Sequence, residues 1–202
     1  MTSLRHSTGL HDLDEREHAY LDAARACILD VGWRRTTLTE VARRAGVSRM
    51  TIYRTWSDMP RLLADLMTRE WAGVVSETLA AEDPSAATVE RLVDDVVGIV
   101  ARLRDNELFL RIVELDPELL LPYLLSRRGR SQDAILDLTA AAIRAGQAEG
   151  AIRAGDPVAI ARGMLLAAHG FALSAHTMVD DAVTVEDLDA ELTLQLTRSL
   201  AP

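Results

Sequence analysis

The chain contains no lysine, a single cysteine and no phosphate-binding glycine loop. All 22 basic residues among its 202 are arginine; that uniformity reflects the coding genome and carries no chemistry of its own. Cys27 stands alone, so neither an internal disulfide nor a thiolate zinc site can form, which fits a reducing cytoplasm. Neither G-x-x-x-x-G-K-[ST] nor G-x-G-x-x-G occurs, and without strand patterns either would lack its context, which argues against nucleotide hydrolysis. G-x-S-x-G is missing as well, and no Ser, His and Asp set stands out. No opening segment joins a charged start to an apolar run and a small-residue cleavage site, so no signal peptide is expected. The longest uncharged run, Gly163 to Val179, falls just short of a bilayer span; it is expected to be a buried helix of a soluble domain.

What remains is about half apolar (49%), with 4% aromatic residues and six prolines, a composition for compact helical domains rather than disorder. Residues 1 to about 12 carry no pattern and are expected to be a mobile arm. From Asp14, Leu21, Ala24, Ile28 and Val31 fall at helical spacing until Gly32 stops the run. Asp58 to about Leu79 reads as a long helix with Pro60 in its first turn and Leu62, Leu63, Leu66, Met67, Trp71, Val74 and Val75 on its apolar side. After a polar break at Glu82 to Ala86, helices are expected over 87–104, 107–115, 117–126, 131–149, 157–178 and 185–200. In the last, Leu188, Leu192, Leu196 and Leu200 recur every fourth residue. Residues 1–57 and 58–202 are expected as two domains of an all-α protein.

The most informative stretch is Thr37 to Leu63. Thr37 and Glu40 stand at the spacing of a capping box, Leu38, Val41, Ala42 and Ala45 form an inward stripe, and Gly46 supplies the turn. Ser48, two residues on, is a second N-cap candidate, so two short helices meet at the tight angle of a helix-turn-helix. Ile52 and Trp56 would pack inward on the second helix. Between Arg34 and Arg61 lie seven arginines and only two carboxylates, Glu40 and Asp58, although the whole chain carries a net charge of −9. Divided at residue 70, the first part is near neutral and the second about −10, so a duplex would meet the first and be repelled by the second. The outward residues suit a major groove: Arg49, Met50, Thr51 and Arg54 are expected to read bases, and Arg34, Thr37, Arg44, Ser48, Tyr53, Thr55 and Arg61 to hold phosphates.

Thr37, Val41-Ala42, Ala45-Gly46-Val47-Ser48, Ile52-Tyr53, Trp56 and Leu62-Leu63 together resemble the signature of the TetR-type one-component transcriptional regulators. The resemblance implies an N-terminal three-helix DNA-binding domain, followed by a helical domain that binds a ligand and dimerises through its last two helices. It implies a palindromic double-stranded DNA operator, an inducer, and no cofactor or enzymatic activity. Three positions depart from the family pattern: Trp56 replaces the usual phenylalanine, Thr55 the usual histidine, and Met59 a phosphate-binding lysine, for which Arg61 is the candidate substitute.

A ligand cavity is expected among Leu103, Phe109, Ile112, Val113, Leu120, Tyr123, Leu124, Met164, Leu165, Ala168, His169, Phe171 and Leu173. The alternative is that these residues simply pack the core. Their aliphatic character favours a small hydrophobic inducer of lipid or acyl type over a flat cation. His169 and His176 lie seven apart, with Asp180 four beyond, but no third ligand stands at a motif spacing; no metal or catalytic residue is assigned. Two rival functions stay open: a regulator that works without a ligand, and a helical small-molecule-binding protein or enzyme whose helix-turn-helix is vestigial.

Overall fold

The computed structural model describes residues 14–202 except Glu82 and Pro84, so the arm expected at residues 1–12 and part of the polar break lie outside the described residues. Ten α-helices follow in chain order, with no strand among the described residues. They divide into two compact units, one ending at Arg69 and the other beginning at Glu70.

The first unit holds α1 (Glu15–Val31), α2 (Leu38–Arg44), α3 (Arg49–Thr55) and the opening of α4 (Met59–Ala80). Asp14 caps α1 with a complete box: its carboxylate accepts from the backbone N–H of Arg16 and Glu17, and Glu17 reaches back to the Asp14 N–H. Leu21, Ala24 and Ile28 are buried, as their spacing predicts, but Val31 is exposed. Ala23 and Cys27 complete the inner face instead. Leu38, Val41 and Ala42 of α2, Ile52 of α3, Trp56, and Leu62 and Leu66 of α4 close this core. Within the unit, Arg69 fastens α4 to α1, donating to the His18 carbonyl at 2.9 Å and to Asp22 at 2.8 Å.

The second unit contains α5 (Thr88–Asp105), α6 (Glu107–Leu115), α7 (Leu121–Leu125), α8 (Arg130–Ala148), α9 (Pro157–Ser174) and α10 (Val185–Leu200). Its core joins Leu92, Val93 and Val100 of α5 to Leu136, Ala140 and Ile143 of α8, Ile160, Ala161 and Met164 of α9, and Leu192, Leu196 and Leu200 of α10. The single helix expected over 117–126 is broken into a 3-10 turn, Pro117–Leu119, and the short α7. Pro122 explains the break: in a continuous helix its missing N–H would forfeit a bond and its ring would crowd the carbonyl four residues earlier. Gly146 permits a close crossing, since a Cβ there would lie 2.6 Å from the Ile152 Cδ1.

The expectation of a buried helix over Gly163–Val179 holds for one face only. With the 3-10 turn that follows it, α9 spans Pro157–Thr177, long and apolar enough to cross a membrane by composition. It packs against α5, α8 and α10 on one side, yet Gly163, Leu166 (72% exposed) and Gly170 stand open on the other. An apolar sequence therefore supplies both a core face and an exposed face.

Candidate functional site

The α2–α3 pair is fixed by its caps. Thr37 Oγ1 accepts from the Glu40 N–H at 3.2 Å, but the expected box is only half formed. Glu40 turns forward instead, accepting from Arg43 Nε at 3.0 Å and Nη2 at 2.6 Å. That bidentate guanidinium holds the Glu40 carboxyl below its ordinary pKa. At the turn, Gly46 has φ +67° and the Val47 N–H returns to the Ala42 carbonyl at 3.0 Å, closing α2. Ser48 then caps α3, its Oγ accepting from the Thr51 N–H at 3.1 Å.

On α3, burial of Ile52 and of Trp56 just beyond the helix leaves Arg49, Met50, Tyr53 and Arg54 outward, with Met50 77% exposed. A methionine so displayed is suited to contact a thymine methyl. Thr51 is half-buried, and its hydroxyl lies 2.9 Å from that of Ser48. Thr37, Ser48, Thr55 and Arg61 are exposed around the same helices, and Arg34 lies exposed on the 3-10 turn Trp33–Arg35. Arg44 is paired with Asp30 at the end of α1, so a phosphate would have to share or displace that carboxylate. Just before Met59, Asp58 accepts the Arg61 N–H at 2.9 Å at the start of α4, which lowers the Asp58 pKa. Arg61 is thereby placed in the first turn of α4.

Trp56 has a structural reason to be tryptophan. Its indole Nε1–H donates to Asp65 Oδ2 at 2.9 Å, and its ring meets Tyr20 edge to face with centroids 6.3 Å apart. Phenylalanine would fill the space without the bond. Cys27 is buried, and burial pushes its thiol pKa up.

In the second unit the expected cavity residues separate. Met164, Leu165, Ala168 and Phe171 belong to or pack against the α5–α8–α9–α10 core. Phe109 and Ile112 are buried on α6, where Phe109 meets Trp71 edge to face at 5.6 Å. Leu103, Val113, Leu120 and Leu173 are half-buried, while Leu124 is 40% exposed. Tyr123 and His169 are joined through a residue absent from the sequence-based set, Gln132, whose amide nitrogen lies 3.4 Å from the Tyr123 carbonyl and 3.3 Å from His169 Nε2. Its only sequence signal is a glutamine three positions after Gly129, the reach-back position of a capping box. Equally unannounced is the Arg104–Asp189 ion pair, 2.5 Å long, between α5 and α10. Among the described residues no three His, Cys, Asp or Glu side chains gather as metal ligands.

Residues 21–66 match the model of the bacterial regulatory proteins of the tetR family. An uncharacterized HTH-type transcriptional regulator of Mycobacterium tuberculosis is 36% identical over 173 residues, covering 86% of this chain and 88% of the relative. Among solved structures, the fatty acid degradation regulator FadR from Bacillus halodurans superposes with a TM-score of 0.66 at 17% identity, over 91% of this chain and 95% of its own. A SmeT–triclosan complex does so at 0.63 and 22% identity, over 94% and 93%. At such identities these two structures establish likeness of fold.

Proposed function

The chain belongs to the tetR family of HTH-type transcriptional regulators, DNA-binding proteins and not enzymes, and from that premise we propose that it is a ligand-released repressor acting as a homodimer. The observation that carries the proposal is α3: a capped seven-residue helix with Ile52 buried beneath it and Arg49, Met50, Tyr53 and Arg54 displayed above. Each subunit sets this helix into the major groove of one half of a palindromic operator, with half-sites separated by whole helical turns. Arg49, Met50, Thr51 and Arg54 read base edges. Arg34, Thr37, Arg44, Ser48, Tyr53, Thr55 and Arg61 fix the register on phosphates, with Arg61 taking the role that Met59 cannot fill.

The open face of α9 (Gly163, Leu166, Gly170) and the exposed Ala190 and Leu194 of α10 support dimerisation through the last two helices, which would make a four-helix interface with a symmetry mate. On this reading the apolar Pro157–Thr177 stretch serves a core and an interface rather than a membrane, and the protein works in the cytoplasm. A small hydrophobic inducer binds the second unit. FadR is named a fatty acid degradation regulator and SmeT is seen in a complex with triclosan, and the aliphatic surroundings of Met164, Leu165 and Phe171 suit apolar ligands. Binding shifts α4, spreads the reading helices and breaks their register. The inducer can do so only to the extent that it binds the spread state better than the DNA-bound one.

A gel shift with the DNA upstream of the protein's own gene tests the reading, with Tyr53→Ala/Arg54→Ala as the comparison. Wild type binds and the double variant does not. Failure of wild type to retard any genomic fragment at low salt would exclude the repressor.

A further inference from the structure

Two arginines at the end of α2 are already held by carboxylates of the same unit. Arg43 is gripped from within its own helix, Glu40 accepting from its Nε at 3.0 Å and its Nη2 at 2.6 Å. Arg44, the last residue of α2, reaches across to α1, where its Nη2 donates to Asp30 Oδ2. Arg49 and Arg54 of α3, by contrast, are exposed and meet no carboxylate among the described residues. The arginine excess around the helix-turn-helix therefore includes a free pair on α3 and a neutralised pair on α2.

The two carboxylates differ in what α1 and α2 explain of them. Glu40 stands in the first turn of α2, where a negative charge faces the positive end of the helix dipole. Asp30 stands in the last turn of the 17-residue α1, against the negative end, and that turn carries no basic residue. Nothing in α1 favours a carboxylate there. Its side chain has one hydrogen-bond partner among the described residues, Arg44. The Asp30 side chain is 55% exposed and that of Arg44 34%. So open a pair adds little to the stability of the unit, and it is accessible to a competing anion.

We propose that Asp30 is an internal competitor for phosphate: its carboxylate occupies Arg44 in the free protein and so limits how strongly this unit grips DNA of any sequence. The proposal deepens the DNA-binding reading above and rests on its placement of Arg44 against the duplex. A phosphate oxygen and a carboxylate oxygen accept the same charge-assisted bond from a guanidinium. When a phosphate takes Arg44, the bond to Asp30 breaks and a bare carboxylate is left beside the duplex. That carboxylate takes up a cation, which offsets the counterion released from the phosphate. Arg44 then adds little net affinity and little salt dependence. The restraint falls on the phosphate grip, the sequence-independent part of binding, and leaves the outward residues of α3 untouched.

The test uses the full-length protein and a mixed-sequence duplex, with affinities measured by fluorescence anisotropy across a range of salt concentrations. Asp30→Asn keeps an oxygen that can accept from Arg44 and removes the charge. It should bind about fivefold or more tighter than wild type and steepen the fall of log K with log[salt] by about 0.9 for each subunit. In an Arg44→Ala background the same substitution should change affinity by less than about twofold and leave the slope alone, because only screened repulsion from the duplex is then relieved. Melting curves check that each variant is folded. Weaker binding by Asp30→Asn would show that the carboxylate orients Arg44 for a phosphate instead of competing with one, and would overturn the inference. Unchanged binding, or an equal gain in both backgrounds, would overturn it as well; in all three cases wild type still binds and the DNA-binding reading stands. Failure of wild type to bind any duplex at low salt would remove that reading and the inference with it.

Discussion

Trp56 and Cys27 illustrate how single side chains in the DNA-binding unit answer to their surroundings. The indole of Trp56 both fills the space between Tyr20 and α4 and bonds Asp65. Trp56→Phe should keep the packing and lose the bond, lowering thermal stability by about 1–2 kcal/mol. Trp56→Ala should cost about 3–5 kcal/mol through the cavity it leaves. Melting curves of the two variants distinguish the contributions, and a Trp56→Phe variant as stable as wild type would show that the bond to Asp65 adds nothing. Cys27 is buried with its thiol pKa raised, so little thiolate exists near neutral pH. Alkylation by iodoacetamide should be slow in the folded protein and rapid in denaturant. Fast labelling of the native chain would contradict the burial.

Two glycines in helices show how neighbours decide the sign of one substitution. Gly73 of α4 is exposed and a Cβ there meets nothing within 4 Å. Gly73→Ala should stabilise by about 0.5–1 kcal/mol through helix propensity alone. Gly146 of α8 faces Ile152, whose Cδ1 and Cγ1 would lie 2.6 and 2.8 Å from an added Cβ, with Thr88 Cγ2 at 3.2 Å. Ile152 is itself buried in the core and has little room to yield. Gly146→Ala should therefore destabilise by about 1 kcal/mol, the overpacking outweighing the propensity gain. Thermal denaturation of both variants checks the opposed signs.

Local signals made the helix-turn-helix legible, because its determinants lie within a few residues of one another: Thr37 and Ser48 cap, Gly46 turns, Ile52 packs. The destination of Glu40 was not legible, since the Thr37 N–H and the Arg43 guanidinium are equally close in sequence and the stronger, charged donor wins. Periodicity located nine of the ten helices but ran through Pro122, treating a helix-breaking residue as tolerated. Long-range pairs escaped it altogether: Gln132 with His169 across 37 positions and Arg104 with Asp189 across 85. Nothing in a one-dimensional pattern specifies which face of α8 meets which face of α9.

For the molecule as a regulator, the division of charge and of exposed apolar surface matters most. The open α9 face predicts that Leu166→Arg yields a monomer in sedimentation experiments and weakens operator binding severely, because a monomer grips only one half-site. An unchanged dimer would move the interface elsewhere. The most direct measurement is the operator affinity of wild type and of Arg54→Ala across a range of salt concentrations. If each subunit neutralises about four phosphates, log K against log[salt] should fall with a slope of roughly −7 for the dimer. If Arg54 reads a base as proposed, Arg54→Ala should lower affinity at every salt concentration and leave that slope nearly unchanged. A slope near zero for wild type would contradict the placement of α3 and its arginine-rich surroundings on DNA.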